Sequence, residues 1–289
     1  MILMTRNNNL SVLPFYTDIN EQNHRRSYAY GEVYPLYCQT NTLPPFQIVR
    51  TEQTAVQWVR MYTKDGTLVG NILEEMQQTG LQVVQFSDYG YNVILYSAVM
   101  PMATNMLQGQ YYIVIKTAAA TYYSDIITMV NDMSAYTKIE WYDDEDMVMD
   151  GCRIVYQNPR FINRLWFASE IGKPEYTFDE EGEERDGFFF PEKQLSEKTY
   201  KMTVLAPEYL CDVMRFIRMA DYVRVTDKYG REYDCDTFLI TPKWQEQGDL
   251  ASVEIEFETD TVAKKIGRMA VRNNIGDYNI DYNNDYLNS

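Results

Sequence analysis

Val253-Glu254-Ile255-Glu256-Phe257-Glu258 alternates apolar and acidic residues over six positions. A period of two puts the apolar set on one face and the glutamates on the other. The stretch therefore predicts a half-buried antiparallel strand with an acidic outer face. Such a strand needs neighbours, and the residues upstream supply them. Residues 221–226 and 232–240 read as two strands joined by Asp227-Lys228-Tyr229-Gly230, a hairpin turn closed by glycine. Before them, Pro207 suits a first helical turn, where its missing N–H has no bond to lose. Leu210, Val213, Met214 and Ile217 then recur at i, i+3, i+4 and i+7, so a helix over 207–219 presents one apolar face. Earlier still, 199–205 alternates with Tyr200, Met202 and Val204 on one side. Strand, helix, hairpin, long connection and strand, in that order, predict an antiparallel sheet flanked by one α-helix.

Further upstream, 137–142, 153–156 and 161–167 carry strand patterns. Between them and residue 199 lies an acidic stretch, 170–186, with Glu175, Asp179, Glu180, Glu181, Glu183, Glu184 and Asp186. Like charges at this density favour a solvated, extended loop. Phe188-Phe189-Phe190-Pro191 follows directly. It reads either as a buried strand end or as an aromatic anchor in a subunit interface. Trp244, after Pro242, stands in a connection and is either a domain plug or a contact. Trp58, Trp141 and Trp166 sit in strand patterns and are expected in the core.

The first half is a run of short strands: 46–50, 55–62, 68–73, 81–86, 91–97, 111–116 and 122–130. Lys64-Asp65-Gly66-Thr67, Asp88-Tyr89-Gly90 and Gln108-Gly109 punctuate them. Seven strands at this spacing predict a β-sandwich. The expected organisation is an irregular, proline-bearing N-terminal arm (1–45), a β-sandwich domain (46–135), a C-terminal antiparallel β-sandwich or split barrel with the helix 207–219 (136–267), and a polar-aromatic tail (268–289). That tail contains Tyr278, Tyr282 and Tyr286. A length of 289 residues agrees with two domains at ~150 residues each.

Composition narrows the function. The net charge is −16, from 42 acidic and 26 basic residues, and no basic run exceeds two residues, as at Arg25-Arg26. Such a surface repels phosphate backbones and anionic lipid, so neither nucleic acid nor membrane is an expected partner. No apolar stretch approaches the ~20 residues of a bilayer span. Met1-Ile2-Leu3-Met4-Thr5-Arg6 is too short for the apolar run of a cleavable signal. Twenty-five tyrosines exceed what core strands need, which favours a protein with much contact surface.

Catalytic signatures are sparse. His24 is the sole histidine, so a two-histidine zinc motif is impossible and any Ser-His-Asp or Cys-His site would have to use it. No nucleophile elbow, P-loop or dinucleotide fingerprint occurs. Cys38, Cys152, Cys211 and Cys235 form no C-x-x-C pair and read as reduced, partly buried thiols. No cofactor and no catalytic residue are expected. Asp143-Asp144-Glu145-Asp146 and the loop residues Asp179, Glu180 and Glu183 are the places to consider for Ca²⁺, although neither has EF-hand spacing.

The stretch Glu197-Lys198-Thr199-Tyr200-Lys201-Met202-Thr203-Val204, the segment 210–217, residues 222–225, Gly230, Tyr233 and residues 237–241 together resemble the tube-type domain of phage distal tail and baseplate hub proteins. Ile171-Gly172-Lys173-Pro174-Glu175-Tyr176-Thr177-Phe178, and the stretch from Thr241 to Leu250, look like those of tail-region proteins of gut-bacterial phages. The resemblance covers 137–267. It implies a non-enzymatic virion protein, made in the host cytoplasm, that forms a homo-oligomeric ring and contacts neighbouring tail proteins. Phe188, Phe189, Phe190, Trp244, Tyr278, Tyr282 and Tyr286 are the candidate interface residues. Two alternatives stand beside it. One is a glycan- or receptor-binding β-sandwich, marked by an exposed aromatic platform. The other is a hydrolase, marked by two carboxylates in one deep cleft.

Overall fold

The computed structural model describes residues 11–18, 34–52, 55–86, 90–97, 106–145, 147–149, 155–157, 161–244, 250–259 and 263–266. It gives no side-chain description for Phe86, Tyr91, Arg185, Phe190, Glu192 or the strands at 147–149, 155–157 and 263–266. Among the described residues the fold is mainly β, with two short α-helices. In the first half the strands are β1 (Phe15–Tyr16), β2 (Leu36–Gln39), β3 (Phe46–Arg50), β4 (Val56–Thr63), β5 (Leu68–Asn71), β6 (Gln82–Phe86), β7 (Tyr91–Tyr96), β8 (Gly109–Thr117), β9 (Thr121–Ser124) and β10 (Ile127–Val130). The second half adds β11 (Thr137–Tyr142), β12 (Met147–Met149), β13 (Val155–Gln157), β14 (Asn163–Phe167), β15 (Glu175–Arg185), β16 (Phe188–Pro207), β17 (Tyr222–Thr226), β18 (Glu232–Lys243), β19 (Leu250–Thr259) and β20 (Ala263–Ile266).

The first sheet is built around β8. One edge of β8 takes β4, and the other takes β9 and then β10. Tyr111 to Ile115 are all buried, as a strand covered on both faces requires. β2 joins β10 in parallel, Leu36 opposite Ile127, the one parallel pair among the described strands. The described parts of 1–45 are thus built into the fold: β1 pairs with β9, and Val12, Leu13 and Phe15 are buried. Bare in water, these apolar groups would be costly; the sheet covers them. A three-stranded sheet, β3-β7-β6, packs Phe46 and Tyr96 against the same core, and Phe46 lies 4.7 Å from Phe15.

Two expected strands differ. The strand at 68–73 ends at Asn71, and Leu73–Thr79 is a helix. Ile72 and Met76, four apart, are both buried, and Gly80 at φ +133° ends the turn. The strand at 122–130 is two strands. They break at Asp125, whose carboxylate accepts the N–H of Ile126 at 2.9 Å.

The second sheet runs β14-β11-β17-β18-β19-β16-β15, with β20 on β16. In β19 the expected alternation is present: Val253, Ile255 and Phe257 are fully buried, and Glu254, Glu256 and Glu258 are half-buried on the other face. The expected helix 207–219 is the helix Glu208–Met214 followed by a 3-10 turn, Ile217–Met219. Leu210, Val213, Met214 and Ile217 are buried. The turn at 227–230 forms as read, with Gly230 at φ +77° and the Asp227 carboxylate accepting the N–H groups of Tyr229 and Arg231, each at 2.9 Å.

Residues 131–136 carry the chain from one sheet to the other. A single cluster of buried side chains spans both, from Val12 and Phe46 to Trp141 and Phe257. Ser97 Oγ donates to Ile162 O and accepts from Ile162 N, both at 2.7 Å, and Tyr34 OH donates to Leu205 O at 2.8 Å. Trp141 is core, as expected. Trp58 and Trp166 are only half-buried, because each stands on the outer face of its strand beside a buried neighbour, Val59 and Leu165, and there each carries a cation on its ring, Arg60 at 4.3 Å and Lys138 at 5.7 Å. No helix among the described residues is long and apolar enough to cross a membrane.

Candidate assembly interface

The acidic stretch expected to be a loop is instead mostly strand β15, paired antiparallel with β16 from Glu175 opposite Thr199 to Arg185 opposite Phe188. Its charges are tolerated because they alternate between faces and meet partners across the ladder. Gln194 donates to Glu180 at 2.7 Å, Lys201 pairs with Glu175 at 3.0 Å, and Lys193 pairs with Glu181 at 3.4 Å. Asp186-Gly187 turns the hairpin at φ +53° and +80°. Two positive-φ residues make a primed turn whose twist matches that of the strands.

β16 is 20 residues long and its support is graded. Residues 199–207 are held by β19 and 193–196 by β20. From Pro191 to the tip, its one partner among the described strands is β15. The end of the hairpin is therefore a two-stranded ribbon. It carries Phe188, 70% exposed, and Phe189, 47% exposed, on opposite faces because neighbours in a strand alternate. β15 is also the outer strand of the sheet. Tyr176 and Phe178 stand exposed on one of its faces, with Lys198 Nζ 5.9 Å from the Tyr176 ring.

Of the expected interface residues, Phe188 and Phe189 come together at the tip. Phe190 belongs to β16, but its side chain lies outside the description. Trp244 follows β18 directly and is exposed. The register places Lys243 level with Ser252 and Leu205, so Trp244 lies at the opposite end of the sheet from the tip. Tyr278, Tyr282 and Tyr286 lie outside the described residues. Tyr176 and Phe178 were not singled out from the sequence, although their spacing of two was the available signal.

Asp179 and Glu180 are adjacent in β15 and point to opposite faces, and Glu183 lies beyond the bulge at Glu181/Gly182. Among the described residues no group of three His, Cys, Asp or Glu is placed to hold a metal ion. Asp143 is fully buried at the end of β11. Burial pushes its carboxyl above the usual range, the nearby Asp221 and Asp144 add to this, and a bond from the Asp221 N–H opposes it. Tyr222 stacks on Tyr142 at 4.8 Å and donates its hydroxyl to Asp144 at 3.0 Å. This cluster closes a corner of the sheet. A cleft of about 420 Å³ opens between β4, the helix Leu73–Thr79 and β6, lined by Ala55, Val56, Gln77, Leu81, Val83, Gln85 and Asn92, none of them a carboxylate. His24 and Cys152 lie outside the described residues. Cys38 and Cys211 are buried free thiols. Burial pushes both upward in pKa, Cys211 to about 11.

Comparison of the chain with protein-family models, with curated proteins and with solved structures finds no match.

Proposed function

We propose that the chain is a non-enzymatic structural protein of a phage tail, at its distal end, baseplate or a tail ring, that docks to copies of itself and to neighbouring tail chains through the β15–β16 hairpin. The observation that carries this reading is the pair of exposed rings, Phe188 and Phe189, at the end of a ribbon of two strands. A monomer gains nothing from holding phenylalanines in water. Each ring fully covered by a partner contributes roughly 1.5–3 kcal/mol, less the cost of ordering the contact. The outer edge of β15, which no described strand pairs, adds a row of backbone groups that a neighbour can pair. The tail assignment draws on the tube-like order of strands and helix, on the net charge of −16 and on the tyrosine content.

The test is size-exclusion chromatography with light scattering, on the full chain alone and mixed with the products of the flanking genes. Assembly that is lost in the Phe188→Ser/Phe189→Ser chain is the expected result. A chain that stays monomeric and joins none of those products overturns the reading.

Tyr176 and Phe178 support a second reading, a glycan-binding face. They project from the same side of β15, roughly 7 Å apart, a spacing that suits stacking on a sugar. A glycan array separates the two, with Tyr176→Ala/Phe178→Ala as its control.

A further inference from the structure

The tip of the hairpin is acidic as well as aromatic. Glu184 lies opposite Phe189, and Asp186 forms the turn, both exposed. On a chain of net charge −16, an acidic tip is repelled by most of the surface of another copy and needs a local cation to dock. Lys193, Lys201, Arg224, Lys228, Arg231 and Lys243 each already hold a carboxylate. Arg215 and Arg218 differ. Both are exposed, and neither makes an ion pair among the described residues. Lys64 and Lys173 are also exposed and hold no carboxylate among the described residues, but each is a single cation in its turn or loop, whereas Arg215 and Arg218 stand together. They lie three apart in the helical segment that leads from the helix Glu208–Met214 into the 3-10 turn, so they share a face. Met219, four residues after Arg215 and 59% exposed, completes that face, and the Arg215 guanidinium lies 5.0 Å from the Phe216 ring. Two cations beside exposed apolar surface match two carboxylates beside two exposed phenylalanines.

We propose that the hairpin tip of one copy docks on the Arg215–Arg218–Met219 face of a second copy. The inference rests on the hairpin-docking reading and names the surface that receives it. A chain cannot satisfy itself, because the tip and the helix lie at opposite ends of β16. Nineteen residue steps in a straight strand span roughly 60 Å. Donor and acceptor are different surfaces, so the contact passes from copy to copy and can close a ring.

The experiment is light scattering across a concentration series at low salt, with circular dichroism to confirm that each variant is folded. The parent chain is expected to assemble. Glu184→Lys and Arg215→Glu are each expected to need about tenfold more protein to do so, because a like-charge juxtaposition replaces an attraction. An equimolar mixture of the two variants restores a tip-to-face pair of opposite charge and should recover assembly. An Arg215→Glu chain that assembles like the parent overturns the proposal. If Phe188→Ser/Phe189→Ser still disrupts assembly in that case, the hairpin reading survives with a different acceptor. A parent chain that is monomeric at every concentration also overturns the proposal, while docking to neighbouring tail chains is judged separately by the mixing experiment.

Discussion

Asp221 donates its backbone N–H to Asp143 Oδ1 at 3.2 Å, and its own carboxylate accepts the N–H of Asp144 at 2.9 Å. The two aspartates thus extend the β11–β17 ladder by one side-chain step beyond Tyr142 and Tyr222. The cost falls on Asp143, whose Oδ2 is buried without a hydrogen-bond partner. Its carboxyl is pushed upward, so this group stabilises most below the ordinary carboxylate range, and the contribution is lost as pH rises through the folded value. Asp143→Asn keeps the acceptor and removes the charge. The variant should melt higher than the parent at pH 7, by about 2–4 °C, with a smaller gap at pH 4. Thermal melts at the two pH values check this, and a lower melting temperature at pH 7 refutes it.

Glu140 has the opposite slope. Burial alone would raise its carboxyl, but Lys138 at 2.7 Å and Arg164 at 2.6 Å outweigh burial and hold it below the usual range. A depressed pKa gives stability that is present above the unfolded value and lost as pH falls through the folded one. Glu140→Gln should therefore cost stability at neutral pH, about 1–3 kcal/mol for the anion that Lys138 and Arg164 lose, and little in acid. Urea midpoints at pH 7 and pH 4 provide the measurement. An equal loss at both would mean that the pair contributes through packing rather than charge.

These two sites show what a sequence carries and what it leaves out. β11 was legible in full because Thr137, Ile139 and Trp141 alternate with Lys138, Glu140 and Tyr142. The buried face of the helix at 210–217 was legible from its 3.6-residue period. Neither pattern says that Arg164 reaches Glu140, or that Asp221 meets Asp143 across 78 residues of chain. The acidic stretch was misread because charge density was weighed without its partners. Lys193, Gln194 and Lys201 lie across the ladder, and the Asp186-Gly187 dipeptide was a turn signal left unused. The parallel match of β2 with β10 depends on a crossing between distant segments that local periodicity does not encode.

Gly172 marks where the chain enters the hairpin. Its N–H donates to Lys201 O at 2.8 Å, and a Cβ added there would meet that same oxygen at 2.9 Å. The obstacle is backbone and cannot rotate away. Gly172→Ala should displace the segment from β16 and lose the bond, costing about 1–3 kcal/mol. A urea titration at one pH reads the effect. An unchanged midpoint would show that the segment before β15 moves aside freely.

Phe257 and Phe188 lie on strands of the same sheet and should respond in opposite ways to truncation. Phe257 is fully buried, stacked on Tyr200 at 5.5 Å and set edge-on to Tyr233 at 6.1 Å. Phe257→Ala removes a ring from a packed site and should cost about 3–5 kcal/mol. Phe188 stands largely in water, so Phe188→Ser should change the stability of the isolated chain by no more than about 0.5 kcal/mol. Denaturation of the parent and both variants at a concentration too low for assembly makes the comparison. If Phe188→Ser proves nearly as costly as Phe257→Ala, the tip is packed within its own chain, and a ring already used inside the fold is not free to dock on another copy.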